Sequence, residues 1–265
     1  MVATPRNTGM NLEYCAESTR GTEPSSQQLY RPSDGVENVN LVGRNNGEIV
    51  FSINSYEGQG TVYGAEEYTL TFDYFLQRHA TAHPLNKSIE YYANYRSTGN
   101  LTPLTFYVHT QSDGTFALLG GMINRWTLTP EETRIRCSAE IVGKSCATTS
   151  SNYVGHTDST ACGTTFETFQ GAVCTRSGSW VPGVGGFSLE INNNVERVPI
   201  IGSSTPTACY EGHEGLTGTV DILLDDGGEA DFYEMQGHTE SSIVFSSGTS
   251  TSATDKSMKW TLANA

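Results

Sequence analysis

Residues Glu67 to Tyr74 read EYTLTFDY. Tyr68, Leu70, Phe72 and Tyr74 alternate with Glu67, Thr69, Thr71 and Asp73, the period of two that a half-buried strand requires, because successive side chains leave opposite faces of the pleat. The same alternation recurs in Thr133 to Val142, where Ile135, Cys137, Ala139 and Ile141 oppose Arg134, Arg136, Ser138 and Glu140. It returns once more where Phe187, Leu189 and Ile191 oppose Ser188, Glu190 and Asn192. Three such stretches, far apart in the chain, read as strands with one apolar and one polar face.

Working outward, a first strand pair is expected at 47–55 and 66–76, joined by the glycine-rich loop 56–66. Further strands are expected at 104–110, 115–128, 133–142, 164–175 and 185–198. The C-terminal third adds GTVDILLD, a DDGG turn at Asp225 to Gly228, then ADFYEMQ, SSIVFSS and KWTLANA. One helix is expected, over 84–95, with Pro84 in its first turn and Leu85, Ile89 and Tyr92 on one face. Residues 1–35 carry scattered Pro, Gly and Ser with little periodicity and read as an extended arm. No break in composition marks a linker, so the 265 residues are expected to form one mainly β domain, a sandwich or barrel with a single short helix.

Charge narrows the function. The formal net charge is −14, and lysine occurs only at Lys87, Lys144, Lys256 and Lys259. Tight nucleic-acid binding needs clustered basic residues that displace counterions from phosphate, and none are clustered here. No stretch approaches the roughly 20 apolar residues of a membrane helix, and the first residues do not read as a secretory signal. The expectation is a protein made in a cytoplasm, or one whose signal has been removed.

Catalytic and metal signatures are missing from the sequence. His213 and Glu214 lack the second histidine of a zinc-protease helix, and the cysteines contain no CxxC. No GxSxG elbow or phosphate loop occurs. The acidic run Asp221, Asp225, Asp226, Glu229, Asp231, Glu234 lacks calcium-loop spacing, and the turn reading is preferred. No catalytic, cofactor or metal residue is assigned. Cys137 is expected to be a core thiol, while Cys146 and Cys162 bracket a polar loop across which a local bridge could close.

Three stretches together resemble the tail tube, or major tail, proteins of long-tailed non-contractile phages and related archaeal viruses. Glu17-Ser-Thr-Arg-Gly-Thr-Glu-Pro24 is similar to their E-S-x-x-G-T-x-P opening. Gly121-Met-Ile-Asn-Arg-Trp-Thr-Leu128, leading into Arg136-Cys-Ser-Ala-Glu-Ile-Val-Gly-Lys144, resembles their central run. Phe187 to Arg197, then Glu211-Gly212 and Leu216 to Asp221, resemble the closing strands. The resemblance implies a structural virion protein, not an enzyme. Protomers would join into hexameric rings, each lending strands to an inter-subunit β-barrel, and rings would stack into the tail tube. Its partners would be copies of itself, the tape-measure protein, the tail terminator and tail-tip proteins. Viral double-stranded DNA would be a transient, non-specific cargo during genome ejection, and no membrane would be engaged. The tube would be assembled in the host cytoplasm and carried in the virion tail.

Six copies at −14 would place −84 on each ring, 6 × 14. Like-charge repulsion would keep a DNA cargo sliding. Glu67, Asp73, Glu140 and Glu190 are the expected channel-lining residues, since each lies on the polar face of an alternating strand. The arm 1–35 and loop 56–66 are expected at ring-to-ring contacts. The competing reading is a secreted carbohydrate-binding β-sandwich, with Trp126, Trp180 and Trp260 as candidate sugar platforms.

Overall fold

The computed structural model describes residues 11–45, 48–51, 58–62, 64, 66–78, 85–97, 99–110, 114–149, 157–160, 166–167, 172–176, 179–180, 184–199, 201, 203, 205–206, 208–222, 243–247 and 259–262. The first strands are β1 (Asn11–Ala16), β2 (Gln28–Tyr30), β3 (Val36–Asn45), β4 (Glu48–Phe51), β5 (Gly58–Val62) and β6 (Glu66–Phe75). A 3-10 turn, Leu85–Lys87, precedes the one α-helix among the described residues, α1 (Ile89–Asn94). Then come β7 (Arg96–Ser97), β8 (Asn100–Leu101), β9 (Leu104–Thr110), β10 (Gly114–Pro130), β11 (Ile135–Gly143), β12 (Ser145–Thr149) and β13 (Thr157–Thr160). The remainder are β14 (Ala172–Arg176), β15 (Ser179–Trp180), β16 (Val184–Asn192), β17 (Glu196–Val198), β18 (Ala208–Tyr210), β19 (Gly215–Ile222), β20 (Ile243–Ser247) and β21 (Lys259–Leu262). The fold is mainly β, as the alternation predicts.

Eleven strands form one sheet, organised by the 17-residue strand β10. Its first half, from Gly114 to Gly121, pairs with β9 on one side and β12 on the other, in the order β13-β2-β1-β9-β10-β12. Its second half pairs with β11 and β16, in the order β19-β16-β10-β11-β6-β3. We call these the β9 wing and the β11 wing. Among the described strands all pairings are antiparallel except β13 with β2. The register of β10 shifts between Leu118 and Gly121 and again between Ile123 and Arg125, and such irregularities bend a strand.

Glycine is required at that bend. Gly120 has φ +63°, and a Cβ on Gly121 would stand 3.0 Å from Ile141 Cγ2 in one wing and 3.0 Å from the Leu104 carbonyl in the other. The bent wings face each other across a shared core. Phe72 of β6 meets Phe106 of β9 with ring centroids 6.2 Å apart, and Tyr14 of β1 lies 5.8 Å from Phe106. Leu70, Phe72, Tyr74, Trp126, Leu128, Ile135, Cys137 and Ile141 are all buried there, consistent with a β-sandwich. A second sheet, β15-β14-β20-β21, joins the core through Phe245, stacked 4.5 Å from Phe187, and Trp260, 6.3 Å from Trp126.

Several expectations are corrected. The arm does not extend through residue 35. β1 pairs with β9 along its whole length, and Leu12 and Tyr14 are buried in the core, because the short run NLEYCA alternates too briefly to stand out. Residues 1–10 lie outside the described residues. The partner of β6 is β3 rather than 47–55, and β4 instead forms a hairpin with β5 inside the expected loop 56–66. The helix is shorter than 84–95. Ser88 caps it, its hydroxyl accepting from the Tyr91 N–H at 3.2 Å, and it ends at Asn94. Ile89 and Tyr92 are buried as expected, whereas Leu85 is exposed.

In the expected strand 164–175, Phe166 makes an isolated bridge to Gln77 and regular pairing begins at Ala172. Cys137 is fully buried in the core, where the alternation puts it. Cys146 is in no disulfide, so the local bridge does not form; β12 turns it toward the core opposite Leu118. Cys162, the Asp225 to Gly228 turn, most of the acidic run and ADFYEMQ fall outside the described residues.

Candidate functional site

The outer face of the β11 wing brings the four singled-out acids onto one surface. Glu67 and Asp73 stand on β6, Glu140 on β11 and Glu190 on β16. Alternation puts each opposite the buried set of its own strand, and the pairings Ser138↔Asp73, Glu140↔Thr71 and Thr127↔Glu190 align the polar sets strand to strand. A shallow depression of ≈ 350 Å³ lies at the centre, lined by Asn38, Thr71, Asp73, Arg125, Ser138 and Glu140 among others.

These acids are not a bare negative wall. Arg125 donates to Glu190 at 2.7 Å, and that bond, ahead of the charge attraction, holds the guanidinium pKa above its ordinary value. Arg136 reaches Glu131 at 2.6 Å, Glu37 at 3.4 Å and Asp73 at 3.7 Å. Its own pKa is also raised, chiefly by the hydrogen bond to Glu131. Arg197 lies 3.7 Å from Glu67 and donates to Thr69 at 2.9 Å. Glu140 accepts from Asn124 at 2.6 Å, while Asp73 accepts from Ser138 at 2.5 Å and Asn38 at 2.7 Å. Six carboxylates named here thus face three arginines, an acidic but heavily cross-linked surface. Exposed pairs of this kind contribute little to stability individually; their effect is to fix side-chain positions and spread the charge.

Both edges of this wing are open among the described residues. β19 pairs only with β16, and β3 only with β6. Thr217, Gly218 and Thr219 of β19 are exposed, and the strand contains neither Lys nor Pro to block pairing. In β3 a bulge between Glu37 and Asn40, with Asn38 at φ +53°, leaves 40–45 as the regular edge.

The three motif stretches converge in space, and two residues that the sequence reading did not single out as site residues account for it. Glu17, nearly fully buried, accepts from Thr105 Oγ1 at 2.7 Å, the Gly120 N–H at 2.7 Å and the Gly21 N–H at 2.5 Å. It therefore pins the 17–24 turn onto the bend of β10. Burial raises its carboxyl above the ordinary value, with these hydrogen bonds and Arg20 working against the rise. Arg20 in turn donates to the Cys209 carbonyl at 2.6 Å and lies 3.9 Å from Glu211.

Asn193, fully buried, donates from Nδ2 to the carbonyls of Ala93 at 2.9 Å and Ile123 at 2.8 Å, and its Oδ1 accepts from Arg96 at 3.0 Å. It ties α1, β10 and the segment after β16 together. Membership of the motif stretches is the only signal in the sequence for either residue, since a lone Glu or Asn shows no period.

Elsewhere, His109 is held between Thr115 at 2.9 Å and Glu13 at 3.0 Å, and Glu13 also lies 3.6 Å from Arg31. No cluster of three metal-ligating side chains occurs among the described residues. No helix among them is long and apolar enough to cross a membrane. Trp126 is fully buried, its N–H bonded to Tyr74 Oη at 2.9 Å, so it cannot serve as a sugar platform. Trp260 is half-buried, and Trp180 lies in β15. No protein-family model matches this chain, and no curated protein matches it.

Proposed function

We propose that this chain is a structural virion protein that polymerises as stacked hexameric rings into a tail tube, a channel for viral DNA. The observation that carries the reading is the β11 wing: a six-stranded sheet with an acidic, ion-paired outer face and an open strand at each side. Pairing β19 of one copy with β3 of the next would extend the wing into a closed barrel and remove both edges. The contact is heterologous, the kind that generates a ring when the rotation closes. Glu67, Asp73, Glu140 and Glu190 would then face the lumen, where their excess over Arg125, Arg136 and Arg197 repels phosphate. The arginine pairing holds them in place, so the lining is smooth as well as acidic. Tape-measure, terminator and tip proteins are the expected partners, and DNA the passing cargo.

The test is negative-stain electron microscopy of the purified chain over a concentration series. Rings or hollow tubes with an open lumen are the expected result. Compact monomers at every concentration, together with specific binding on a glycan array, would replace this reading with the carbohydrate-binding one.

A further inference from the structure

Charge is placed unevenly over the outer face of the β11 wing. Toward the bend of β10, Arg125 faces Glu190 at 2.7 Å and Arg197 faces Glu67 at 3.7 Å, one carboxylate to each guanidinium. Around Arg136 the ratio differs. Its guanidinium reaches Glu131 at 2.6 Å, Glu37 at 3.4 Å and Asp73 at 3.7 Å, carboxylates of the β10–β11 turn, β3 and β6. Glu132 and Arg134, both exposed, complete the charged set of that turn. Asp221, exposed at the end of β19, lines one depression of ≈ 470 Å³ with Glu131 and Glu132. Among the described residues this end of the face therefore sets five carboxylates, Glu37, Asp73, Glu131, Glu132 and Asp221, against the guanidiniums of Arg134 and Arg136.

Carboxylates repel one another, so Glu37, Asp73 and Glu131 stay together only if something holds them. Arg136 has the geometry for it. Its Nε donates to Glu131, which leaves Nη1 for Glu37 and Asp73. The Phe75 ring lies 5.0 Å from the guanidinium carbon, a cation–π contact that restrains the plane of the fork. Asp73 is fixed from its other side by Ser138 at 2.5 Å and Asn38 at 2.7 Å. Asn38 stands in the β3 bulge at φ +53°, and the bulge aims its side chain at Asp73. A planar fork can meet several oxygens in fixed directions, whereas a lysine ammonium is a point charge on a flexible stem.

We propose that Arg136 is a positioning residue: it gathers Glu37, Asp73 and Glu131 into a belt at the β10–β11 turn, so that the face repels phosphate chiefly at that end. The belt stands on the geometry of one chain, while its role in a channel rests on the tube reading. In a ring whose wing strands run from rim to rim, the belt lies at one rim and recurs once per ring. A DNA cargo would then meet repulsion at the spacing of the rings, with the paired charges of Arg125 and Arg197 between.

The test reads the surface potential residue by residue, from the relaxation that cationic and anionic nitroxide probes cause at the amides of the full-length, unassembled chain. At low salt the cationic-to-anionic ratio at residues 37, 73 and 131 should exceed that at 67, 125 and 190 by at least about twofold. The contrast should shrink as ionic strength passes about 0.1 M, where screening acts within ~10 Å. Arg136→Lys keeps the charge but not the fork, and should reduce the contrast by about half. Glu131→Gln, at an exposed position that leaves the core untouched, should lower the ratio around the turn, whereas Glu190→Gln should turn the surroundings of Arg125 toward the anionic probe. An even potential over the wild-type face, or a contrast that Arg136→Lys leaves intact, would overturn the inference. Negative-stain microscopy scores assembly separately: a chain that shows the belt but never forms rings or tubes would remove the channel role and leave the positioning role of Arg136 standing.

Discussion

Strand β10 passes through two chemical worlds. In the β9 wing, Leu118 faces the shared core while Ala117 on the opposite face packs against Cys15, Leu29 and Tyr107 in a second apolar cluster. In the β11 wing, Trp126 and Leu128 face the same core, but Arg125 and Thr127 look outward into the charged surface. One strand is therefore covered on both faces over its middle, from Ala117 to Ile123, and dry on one face from there on. The run FALLGGM shows no alternation because both of its faces are covered, as in buried central strands generally. The run NRWTLT alternates because one face is wet. The β9 wing is covered on its second face by an apolar cluster, and the β11 wing keeps its second face polar and charged.

The comparison breaks first at paired positions. Ala117→Asp would bury an unpaired carboxylate in the second cluster and cost about 3–5 kcal/mol. Thr127→Asp, ten residues later on the outward face, should change stability by less than about 1 kcal/mol. Chemical denaturation of both variants measures the contrast, and equal costs would mean the two outer faces are alike.

Next is the junction between the wings. Gly121→Val would press its side chain against Ile141, the Leu104 carbonyl and Phe106, at an expected cost of about 3 kcal/mol. The loss should appear in thermal unfolding, and hydrogen exchange should show both wings affected, not one.

The smallest effect concerns Glu17, which holds the bend. Its folded pKa lies above the ordinary value of 4.5, so its protonated form is the better tenant of the site. The stability linked to that shift is whole below about pH 4.5 and is lost as pH rises through the folded value. Wild type should therefore lose stability relative to Glu17→Gln as pH rises through that window. Parallel denaturation curves of the two proteins across the range measure this; a gap that widens in favour of wild type would reverse the assignment.

Much of this architecture can be read from residues alone. Glu67 to Tyr74, Thr133 to Val142 and Phe187 to Asn192 are strands because their period is local and strong. Their polar sets share one face because a pleat allows nothing else. The site was therefore half legible: Glu67, Asp73, Glu140 and Glu190 could each be named as outward-facing, although Arg125, Arg136 and Arg197 as their partners could not. Ion pairs across strands depend on register between segments up to about 130 residues apart, as Arg197 and Glu67 are, and no local pattern encodes that.

The sequence by itself determined the class of the molecule: strands by alternation, the short helix after Pro84, and an acidic composition without basic clusters. Only the tertiary structure decided that 11–16 belongs to the core, that β6 takes β3 as its neighbour, and that Glu17 and Asn193 hold distant segments together. The physical reason is that a strand's identity is set by side chains two residues apart. Its neighbours, and whether one face or both are dry, are set by what the rest of the chain brings to it.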